Sequence, residues 1–417
     1  MEKDIVLTDD NSAPDRKALI VLSATAFLSA AGIGIFNPVL PFITQLYVGS
    51  SNDLAITVGW LLATYAICQF VAAPGLGALS DRFGRRPVLL ICLLGSTLGY
   101  LMFGLGGALW VLFLSRAVDG LTGANMSVLF AYIGDLIKPE ERGKFFGTIG
   151  GIAGAGFIVG PALGGLVSNV SYQAPAYLVA GITLANVLMG YFFLPESLHR
   201  ENRTAHIHPG SLNPLAQLGS AFQAIRLRWL MMTIFLFAFP FAILQSNSIV
   251  LVKDTLNWGP DVLGYMFTVV GIIDVLVQGV LIRFLSPIFG EVKLTIAGLI
   301  CHMITYVMTG TIVFVSSPIL LVTGIVFFAL GSGLMEPSIS SLLSQTAGPH
   351  QQGLVQGGSQ SLQALARILG PLCAGFLYVQ LGHAWPYWTG AIAVILAIVA
   401  MILAIPAIHI SQHGKEV

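Results

Sequence analysis

Long apolar runs separated by short polar stretches cover almost the whole chain. Each run is close to the length of about 20 residues that a helix needs to cross the hydrocarbon layer of a membrane. Because backbone groups in lipid must pair within their own segment, the runs are predicted to be helices. Twelve runs can be drawn, at about 18–44, 55–79, 87–107, 109–134, 145–168, 174–194, 229–252, 262–284, 292–314, 318–342, 353–378 and 385–408. The pattern predicts an all-α membrane protein with twelve transmembrane helices.

The composition agrees with insertion into a membrane. Hydrophobic residues make up 56% of the chain and charged residues only 9%, whereas a soluble domain carries roughly 25% charged residues. The formal net charge is zero and no basic domain is present, so nucleic acid is not expected as a partner. All four cysteines fall within predicted helices, at spacings that indicate neither a disulfide nor a metal site. Neither a metal nor a cofactor is expected.

The distribution of basic residues predicts the orientation in the membrane. If the N-terminus is cytoplasmic, 16 of the 19 lysines and arginines fall in loops or tails on the cytoplasmic side. Only Lys253 would lie outside, and Arg116 and Arg367 lie within predicted helices. Cytoplasmic loops carry an excess of Lys and Arg, so both termini are predicted to be cytoplasmic. The first 17 residues are acidic and polar, so no cleavable signal peptide is expected.

A polar segment divides the twelve helices into two sets of six. This segment, residues 195–228, is rich in charged residues, histidine, proline and serine. The predicted organisation is a cytoplasmic tail at 1–17, a six-helix bundle at 18–194, a cytoplasmic connector at 195–228, a second six-helix bundle at 229–408 and a tail at 409–417.

The two sets of helices are also similar in sequence. A shift of 210 residues places Gly147 on Gly357, Ile158 on Ile368, Gly160-Pro161 on Gly370-Pro371 and Gly165 on Gly375. A weaker copy of the hairpin at Gly77–Pro87 runs from Gly279 to Gly290, with the glycines kept but the Asp and most of the Arg lost. Internal repeats of this kind are typical of secondary transporters, whose substrate site lies near the middle of the membrane between the repeats. Two pseudo-symmetric bundles are therefore predicted.

The hairpin between the second and third predicted helices carries the most specific motif. It holds Gly77, Asp81, Arg82, Gly84, Arg85 and Arg86 at the spacing Gly-x-x-x-Asp-Arg-x-Gly-Arg-Arg. This string resembles the signature loop of the major facilitator superfamily. The resemblance implies the major facilitator fold, and a cluster of Asp81, Arg85 and Asp135 that latches the two halves together on the cytoplasmic side in the outward-facing state. The alternative is that the arginines only anchor the loop on the cytoplasmic side.

The fourth predicted helix contains two charged residues, Arg116 and Asp119. Charges within a membrane are costly and usually face a cavity or a partner. Their spacing of three puts them on one helical face, where they can pair. Drug and proton antiporters of the superfamily carry a similar Arg followed by Gln and Gly, and Asp119 stands in place of that Gln. The pair is interpreted as part of a proton pathway, and a static structural ion pair is the alternative.

The fifth predicted helix is rich in glycine. Small residues at this spacing allow close helix packing, and a proline bends the helix. The string resembles the antiporter motif of drug exporters in the superfamily, which favours an exporter over an importer. The motif residues are Gly151, Gly154, Gly156, Gly160, Pro161, Gly164 and Gly165.

Three further charged residues lie within predicted helices of the second half: Asp274, Glu336 and Arg367. Such residues usually mark ion or substrate pathways. Glu336 and Arg367 lie on consecutive helices and are expected to pair across the cavity. Asp274 is interpreted either as a proton carrier or as a helix-packing residue. With Arg116 and Asp119, these residues form the predicted proton-coupling set.

Polar, aromatic and methionine residues on the helices predicted to surround the centre are candidates for the substrate cavity. Hydrogen bonds would come from the polar side chains and stacking from the Phe and Met side chains. The candidates are Asn37, Tyr65, Gln69, Phe235, Phe239, Gln245, Asn247 and Met266.

Other functional classes find no support in the sequence. No Walker phosphate loop is present, so an ATP-driven pump is not indicated. No Ser-His-Asp set or metal-ligand set indicates an enzyme, and no loop is long enough for a soluble sensor domain.

The resemblance extends over nearly the whole chain and is closest to the tetracycline-exporter branch. It rests on Gly32-Ile-Gly34-x-x-Asn37-Pro38-Val-Leu-Pro41, on Asp135 with the following Glu140-Glu141-Arg142, and on Leu194-Pro-Glu-Ser197. It implies a secondary active transporter that works by alternating access and exports a lipophilic or amphipathic small molecule, such as a drug, in exchange for protons. A symporter or facilitator, or an exporter of siderophores, metabolites or lipids, is the alternative.

The same resemblance implies the partners and the location. The expected partners are a small-molecule substrate, protons and the lipid bilayer. The proton gradient is the expected energy source. The chain is expected to function as a monomer, in the cytoplasmic membrane of a bacterium.

Overall fold

The computed structural model describes residues 16–137, 141–198, 200–204, 227–346 and 352–413. Most of the predicted connector and parts of both tails lie outside these residues. The described part up to residue 204 is called the first half, and the part from residue 227 onward is called the second half. Within the described ranges the chain is helical and contains no strand.

The first half contains eight α-helices. They are α1 (Arg16–Phe36), α2 (Leu40–Thr44), α3 (Ser51–Phe83), α4 (Arg85–Leu105), α5 (Leu109–Leu121), α6 (Asn125–Leu136), α7 (Arg142–Ser168) and α8 (Ala174–Phe193). The second half contains α9 (Arg228–Leu256), α10 (Pro260–Leu276), α11 (Ile282–Thr311), α12 (Pro318–Thr346), α13 (Gln352–Gln380) and α14 (Trp385–His413). A π-helical segment, Val277–Leu281, joins α10 to α11.

Ten segments of the described chain are long and apolar enough to cross a membrane. Of the predicted twelve, the fourth is absent from this set, and the eighth and ninth are merged into one segment. The fourth predicted helix is divided into α5 and α6, which are 13 and 12 residues long. The eighth and ninth form one apolar run, Pro260–Thr311, which turns at Gly290, where φ is 74°.

The turn at Gly290 corrects the alignment of the repeated hairpin. Gly84 and Gly290 adopt similar positive-φ conformations, with φ/ψ of 108°/157° and 74°/159°, which a residue without a Cβ adopts without strain. The sequence before each turn is Leu-Ser-x-x-Phe-Gly, at 79–84 and 285–290. Counting back from the turn, Arg283 occupies the place of Gly77. Gly279 is therefore not its counterpart and lies instead in the π-helical segment.

The buried side chains show where the two halves join. At the end of the bundle that carries Arg82, Arg85 and Arg86, called the arginine end, one hydrophobic cluster is built from the first half and another from the second half. At the opposite end, one cluster contains Ile35 and Tyr100 of the first half together with Val250 and Tyr387 of the second.

Glycines show the same difference between the two ends. A Cβ on Gly59 of α3 would lie 2.5 Å from the carbonyl oxygen of Pro371 on α13. A Cβ on Gly264 of α10 would lie 2.5 Å from the carbonyl oxygen of Pro161 on α7. Small residues permit such backbone-to-backbone packing in membrane helices. Toward the arginine end, no described atom comes within 4 Å of a Cβ position on Gly77, Gly147 or Gly357. The halves are in contact at one end and separated at the other.

Candidate functional site

The charged hairpin forms a compact ion cluster at the arginine end. The Arg85 guanidinium lies 2.5 Å from Asp81 Oδ1 and 2.9 Å from Asp135 Oδ2. It also donates a hydrogen bond to Ser80 Oγ at 2.6 Å. The structure thus brings together the three residues of the predicted latch. Helix α3 ends directly beside the start of α4, and α6 ends at the same level, which places the three side chains within reach.

Glu196 ties the beginning of the connector to this hairpin. Its carboxylate accepts hydrogen bonds from the backbone N–H groups of Arg85 (2.8 Å) and Arg86 (3.3 Å). The first N–H groups of a helix have no partner within the helix, and a nearby acidic group stabilises them. Gly84, the residue before α4, has no side chain to cap the helix, and a Cβ there would collide with the Glu196 carboxylate. Glu196 therefore caps α4 from a distant part of the sequence.

Two further contacts extend this arrangement. Ser197 Oγ donates to Asp135 Oδ2 at 3.2 Å, and the backbone N–H of Thr204 donates to the carbonyl oxygen of Asp81 at 3.1 Å. From the sequence, Leu194-Pro-Glu-Ser197 was predicted only to mark the family, and its part in the cluster was not predicted. The available signal was an acidic residue placed just after a membrane helix on the same side as the arginines.

The cluster is confined to the first half within the described chain. Arg86 donates to the carbonyl oxygen of Tyr191 at 2.5 Å, and the Arg82 guanidinium lies 5.3 Å from the ring of its neighbour Phe83. Gly77 faces open space. The arrangement is therefore assembled but not engaged with the second half.

Arg116 and Asp119 form an enclosed ion pair inside the first half. Arg116 NH1 lies 3.2 Å from Asp119 Oδ2, and the two residues are only 4% and 3% exposed. The guanidinium carbon lies 4.3 Å from the ring centroid of Phe36, 5.0 Å from that of Phe103 and 5.3 Å from that of Tyr100. Aromatic faces attract cations at such distances. The predicted pair is present, and it sits in an aromatic box between α1, α4 and α5.

Tyr65 and Gln69, two candidates for the substrate cavity, lie beside the break between α5 and α6. Gln69 Nε2 donates to the carbonyl oxygen of Gly123 at 2.7 Å and to the Tyr65 hydroxyl at 3.1 Å. These bonds satisfy a carbonyl group that the interrupted helix leaves free. Tyr65 also interacts electrostatically with Asp119 and with Arg367 on α13. The two residues therefore connect the ion pair of the first half with the space between the halves.

The expected pairing of Glu336 with Arg367 is wrong. No ion pair joins them in the described chain, and Glu336 instead interacts electrostatically with Asp274. The physical reason is the packing of the helices. Helix α13, which carries Arg367, packs across the bundle on α3, whereas α12, which carries Glu336, packs on α10 and α11. Arg367 is exposed and interacts electrostatically with Tyr65 on α3 of the first half.

Asp274 has one satisfied and one unsatisfied oxygen. Gln278 Nε2 donates to Oδ2 at 2.9 Å, and Oδ1 is buried without a hydrogen-bond partner among the described residues. A Cβ on Gly333 of α12 would lie 3.4 Å from Oδ1, so α12 approaches the carboxylate closely. The π-helical segment begins three residues later, and such segments frequently occur at functional sites.

The glycine motif of α7 is divided among three environments. Gly156, Gly160 and Gly164 pack against backbone atoms of α1. Pro161 and Gly165 face α10 of the second half. Gly151 and Gly154, nearer the arginine end, have no described atom within 4 Å of a Cβ position. One helix thus packs within its own half and against the other half.

The structure contains a cavity of about 220 Å³ within the second half, between α9, α10, α11 and α12. Gln245 and Met266, both candidates for the substrate cavity, line it. Gln245 also lines a space of about 10 Å³ between the halves, together with Asn37.

The other three candidates lie elsewhere. Phe235 and Phe239 stack on each other with centroids 6.0 Å apart. Asn247 is buried and donates to the carbonyl oxygen of Ala374 at 3.0 Å, which fastens α9 to α13. A sequence cannot distinguish such packing roles from cavity lining, because apolar and polar side chains serve both.

Comparison with known proteins agrees with this architecture. The sequence profile of the Major Facilitator Superfamily matches residues 22–368 and 244–416. The chain is 33% identical over 394 residues to the class C tetracycline resistance protein of Escherichia coli, covering 94% of this chain and 96% of that protein. It is 29% identical over 366 residues to multidrug resistance protein 2 of Bacillus subtilis, covering 86% and 88%.

A solved structure is similar as well. The human organic anion transporter MFSD10 (TETRAN) superimposes with a TM-score of 0.71 and 25% identity, covering 94% of this chain and all of that one. These findings confirm the predicted family and its tetracycline-exporter-like branch, and they agree with a multi-pass membrane transporter that is not an enzyme. The chain belongs to the Major Facilitator Superfamily.

Proposed function

We propose that this protein exports a lipophilic or amphipathic small molecule, such as a drug, in exchange for protons. Its similarity to tetracycline and multidrug resistance proteins supports drug efflux. The observation that carries the transport mechanism is the difference between the two ends of the bundle. Two halves that meet at one end and separate at the other are what alternating access requires.

The proposal includes an orientation. All twelve apolar segments cross the membrane, both termini are cytoplasmic, and the arginine end faces the cytoplasm. The excess of Lys and Arg in the loops at that end supports this orientation. The conformation described above is then open toward the cytoplasm and closed toward the outside, which is the state that takes up a substrate for export.

The cluster around Arg85 acts in the opposite state. It is already assembled in the first half by Asp81, Asp135 and the Glu196 cap. When the cytoplasmic end closes, the helices of the second half approach Gly77, which now faces open space. The cluster then stabilises the outward-facing state by holding the two halves together.

Asp274 and Glu336 are the residues that best suit the proton step. Two neighbouring carboxylates repel each other when both are charged, and one bound proton removes that repulsion. No cation within the described chain pairs with either of them, and Asp274 Oδ1 has no partner. Protonation therefore changes the interaction between α10 and α12, and a ligand that acts differently on two states shifts their populations.

Arg116 and Asp119 have a different role in this proposal. They already neutralise each other inside the first half. Neither residue lines the 220 Å³ cavity or the small space between the halves. We assign them to holding the interrupted fourth span in place beside Tyr65 and Gln69.

Transport by the purified protein in liposomes tests the proposal. Tetracycline and a panel of lipophilic drugs are presented to the cytoplasmic face, with an imposed pH gradient that is acidic on the outer face. Accumulation on the outer face is expected, together with loss of accumulation when nigericin collapses the gradient. Liposomes of the same composition without the protein are the control for passive leakage.

Other results of the liposome experiment would indicate a different coupling mechanism. Transport that follows a sodium gradient or requires ATP would overturn proton coupling. Movement of the substrate in the same direction as the protons would identify a symporter instead.

A further inference from the structure

We infer that the 220 Å³ cavity in the second half is a substrate subsite for an uncharged aromatic group of one or two rings with a single hydrogen-bonding edge. This inference rests on the proposed export function and narrows its substrate. It places the recognition of the substrate's apolar part within one half of the molecule, away from the charged residues.

The cavity wall is largely aromatic and aliphatic. Phe241 of α9, Phe267 of α10 and Phe328 of α12 contribute rings, and Met266 contributes a flexible thioether. Phe241 and Phe328 are themselves stacked, with centroids 5.8 Å apart. Aromatic rings favour offset or edge contacts with another ring, and methionine sulfur makes favourable contacts with aromatic groups. The wall therefore suits a flat aromatic ligand.

Two threonines in the wall present mainly their methyl groups. The Thr305 hydroxyl donates to the carbonyl oxygens of Cys301 and Gly324 at 3.0 Å, and the Thr309 hydroxyl donates to that of Thr305 at 2.8 Å. Their donor hydrogens are already used in bonds to backbone carbonyl groups of α11 and α12. They therefore add little polarity to the cavity.

Gln245 and Ser248 are the polar groups that remain for a ligand. They lie three residues apart on α9 and so on one face of that helix, and both line the cavity. The described residues form no hydrogen bond with either side chain. No charged residue lines the cavity, and burial of an unpaired charge is very costly. A ligand with one polar edge and no charge matches this wall.

The volume limits the size of the group that fits. An apolar cavity of about 150 Å³ accommodates benzene, so about 220 Å³ admits one substituted ring or two fused rings. A flat molecule of four fused rings would not enter as a whole. The subsite therefore selects small aromatic compounds, or one arm of a larger compound.

A ligand bound in the cavity affects the contact between the two halves. Gln245 and Ile249 line both the cavity and the small space that also contains Asn37 and Pro41 of the first half. A ligand that hydrogen-bonds Gln245 thus reorients a residue that touches the first half. A pocket for a lipid chain alone would need neither Gln245 nor Ser248.

Binding of prodan, an uncharged fluorescent naphthalene with one ketone, tests the inference on purified protein without any gradient. Ile325→Phe fills the cavity and is expected to weaken saturable prodan binding by at least tenfold. Val322→Phe, on the outer face of the same helix, where Val322 is 46% exposed, is the matched control and should bind like the parent. A naphthalene of similar size with a quaternary ammonium group should not compete with prodan.

A second variant, Gln245→Leu, tests the same subsite in case Ile325→Phe does not fold. Gln245→Leu is expected to weaken prodan binding about fivefold, the loss typical of one hydrogen bond, and to leave binding of unsubstituted naphthalene unchanged. Equal prodan binding by the parent, Ile325→Phe and Gln245→Leu would overturn the inference, as would the absence of saturable binding by the parent. Prodan binding without proton-driven transport would instead reject the export function and retain the subsite.

Discussion

The carboxylate of Asp254, near the end of α9, accepts a hydrogen bond at 2.9 Å from the hydroxyl of Ser51, at the start of α3. This bond joins the two halves at the end where they are closed. The other oxygen of Asp254 accepts a hydrogen bond at 2.9 Å from the hydroxyl of Tyr378 on α13. A single acidic residue thus connects both halves at the end that we propose to face the outside.

Asp254→Ala should favour opening of that end. It removes both hydrogen bonds, and a hydrogen bond to a charged group contributes about 1.5–3 kcal/mol, with less expected at an exposed site. Spin labels are placed at Asn52 and Gln380, one in each half. Double electron–electron resonance spectroscopy then measures the distance between the two labels. We expect the population of the longer distance to rise about fivefold or more. Asp53→Asn, which changes an acid whose partner among the described residues is Ser50 of its own half, should leave the distribution unchanged.

Gly59→Ala tests the close contact between α3 and α13. The added methyl group would lie 2.5 Å from the carbonyl oxygen of Pro371, which cannot retreat without moving α13. We expect lower thermal stability in detergent and a wider separation of the same spin labels. Gly181→Ala is the control because no described atom lies within 4 Å of its Cβ position. A Gly59→Ala protein with the parent's melting temperature and label distances would contradict the close packing.

Glu196→Gln tests the connection between the hairpin and the connector. The amide can still accept a hydrogen bond but loses the charge that favours the start of α4. We expect transport to fall several-fold, in the same direction as for Asp81→Asn, while the protein remains folded in the membrane. Glu201→Gln, an exposed change in the same short segment, should transport normally. Full transport by both Asp81→Asn and Glu196→Gln would leave the arginines with an anchoring role alone.

The paired acid Asp119 should respond to neutralisation differently from Asp274 and Glu336, which have no ion pair among the described residues. Asp119→Asn leaves the Arg116 charge buried among aromatic rings, and removal of one partner of a buried pair costs about 3–5 kcal/mol. We expect a marked drop in melting temperature, partly restored in the double variant Arg116→Met/Asp119→Leu.

Asp274→Asn and Glu336→Gln remove no described ion pair and should keep the melting temperature within a few degrees of the parent. Both should block proton-driven transport and spare exchange of substrate without a gradient. Proton release on substrate binding, followed with a pH dye in weakly buffered solution, separates these roles. Release equal to that of the parent in both variants would remove Asp274 and Glu336 from the coupling step.

The sequence predicted the features that depend on local spacing. The lengths of the apolar runs predicted the helices, and a spacing of three predicted that Arg116 lies beside Asp119. One short motif predicted the ion cluster around Arg85. Rotation of each helix about its axis could not be predicted in the same way. In a membrane, side chains that face lipid and side chains that face the protein are both apolar, so no polar stripe marks the outer face. The direction of Glu336 toward Asp274 and away from Arg367 depends on that rotation.

Contacts between distant segments were also beyond prediction. Glu196 caps a helix that begins 111 residues earlier in the chain, and no local pattern connects the two. The division of the fourth span into α5 and α6 was missed although Gly120, Thr122 and Gly123, which are weak helix formers, lie at the break. The role of Gly279 was misassigned because glycine is common in membrane helices, and only the backbone at Gly290 fixed the register of the second hairpin.

The matching turns at Gly84 and Gly290 have a consequence for the history of the molecule. Their backbones are interchangeable, but Asp81 corresponds to Pro287 and Arg85 to Glu291. After a gene duplication, one copy of the hairpin could thus lose its charges without any change in the path of the chain. A graft of residues 79–86 onto positions 285–292 would give both halves the same charged hairpin on the same backbone turn.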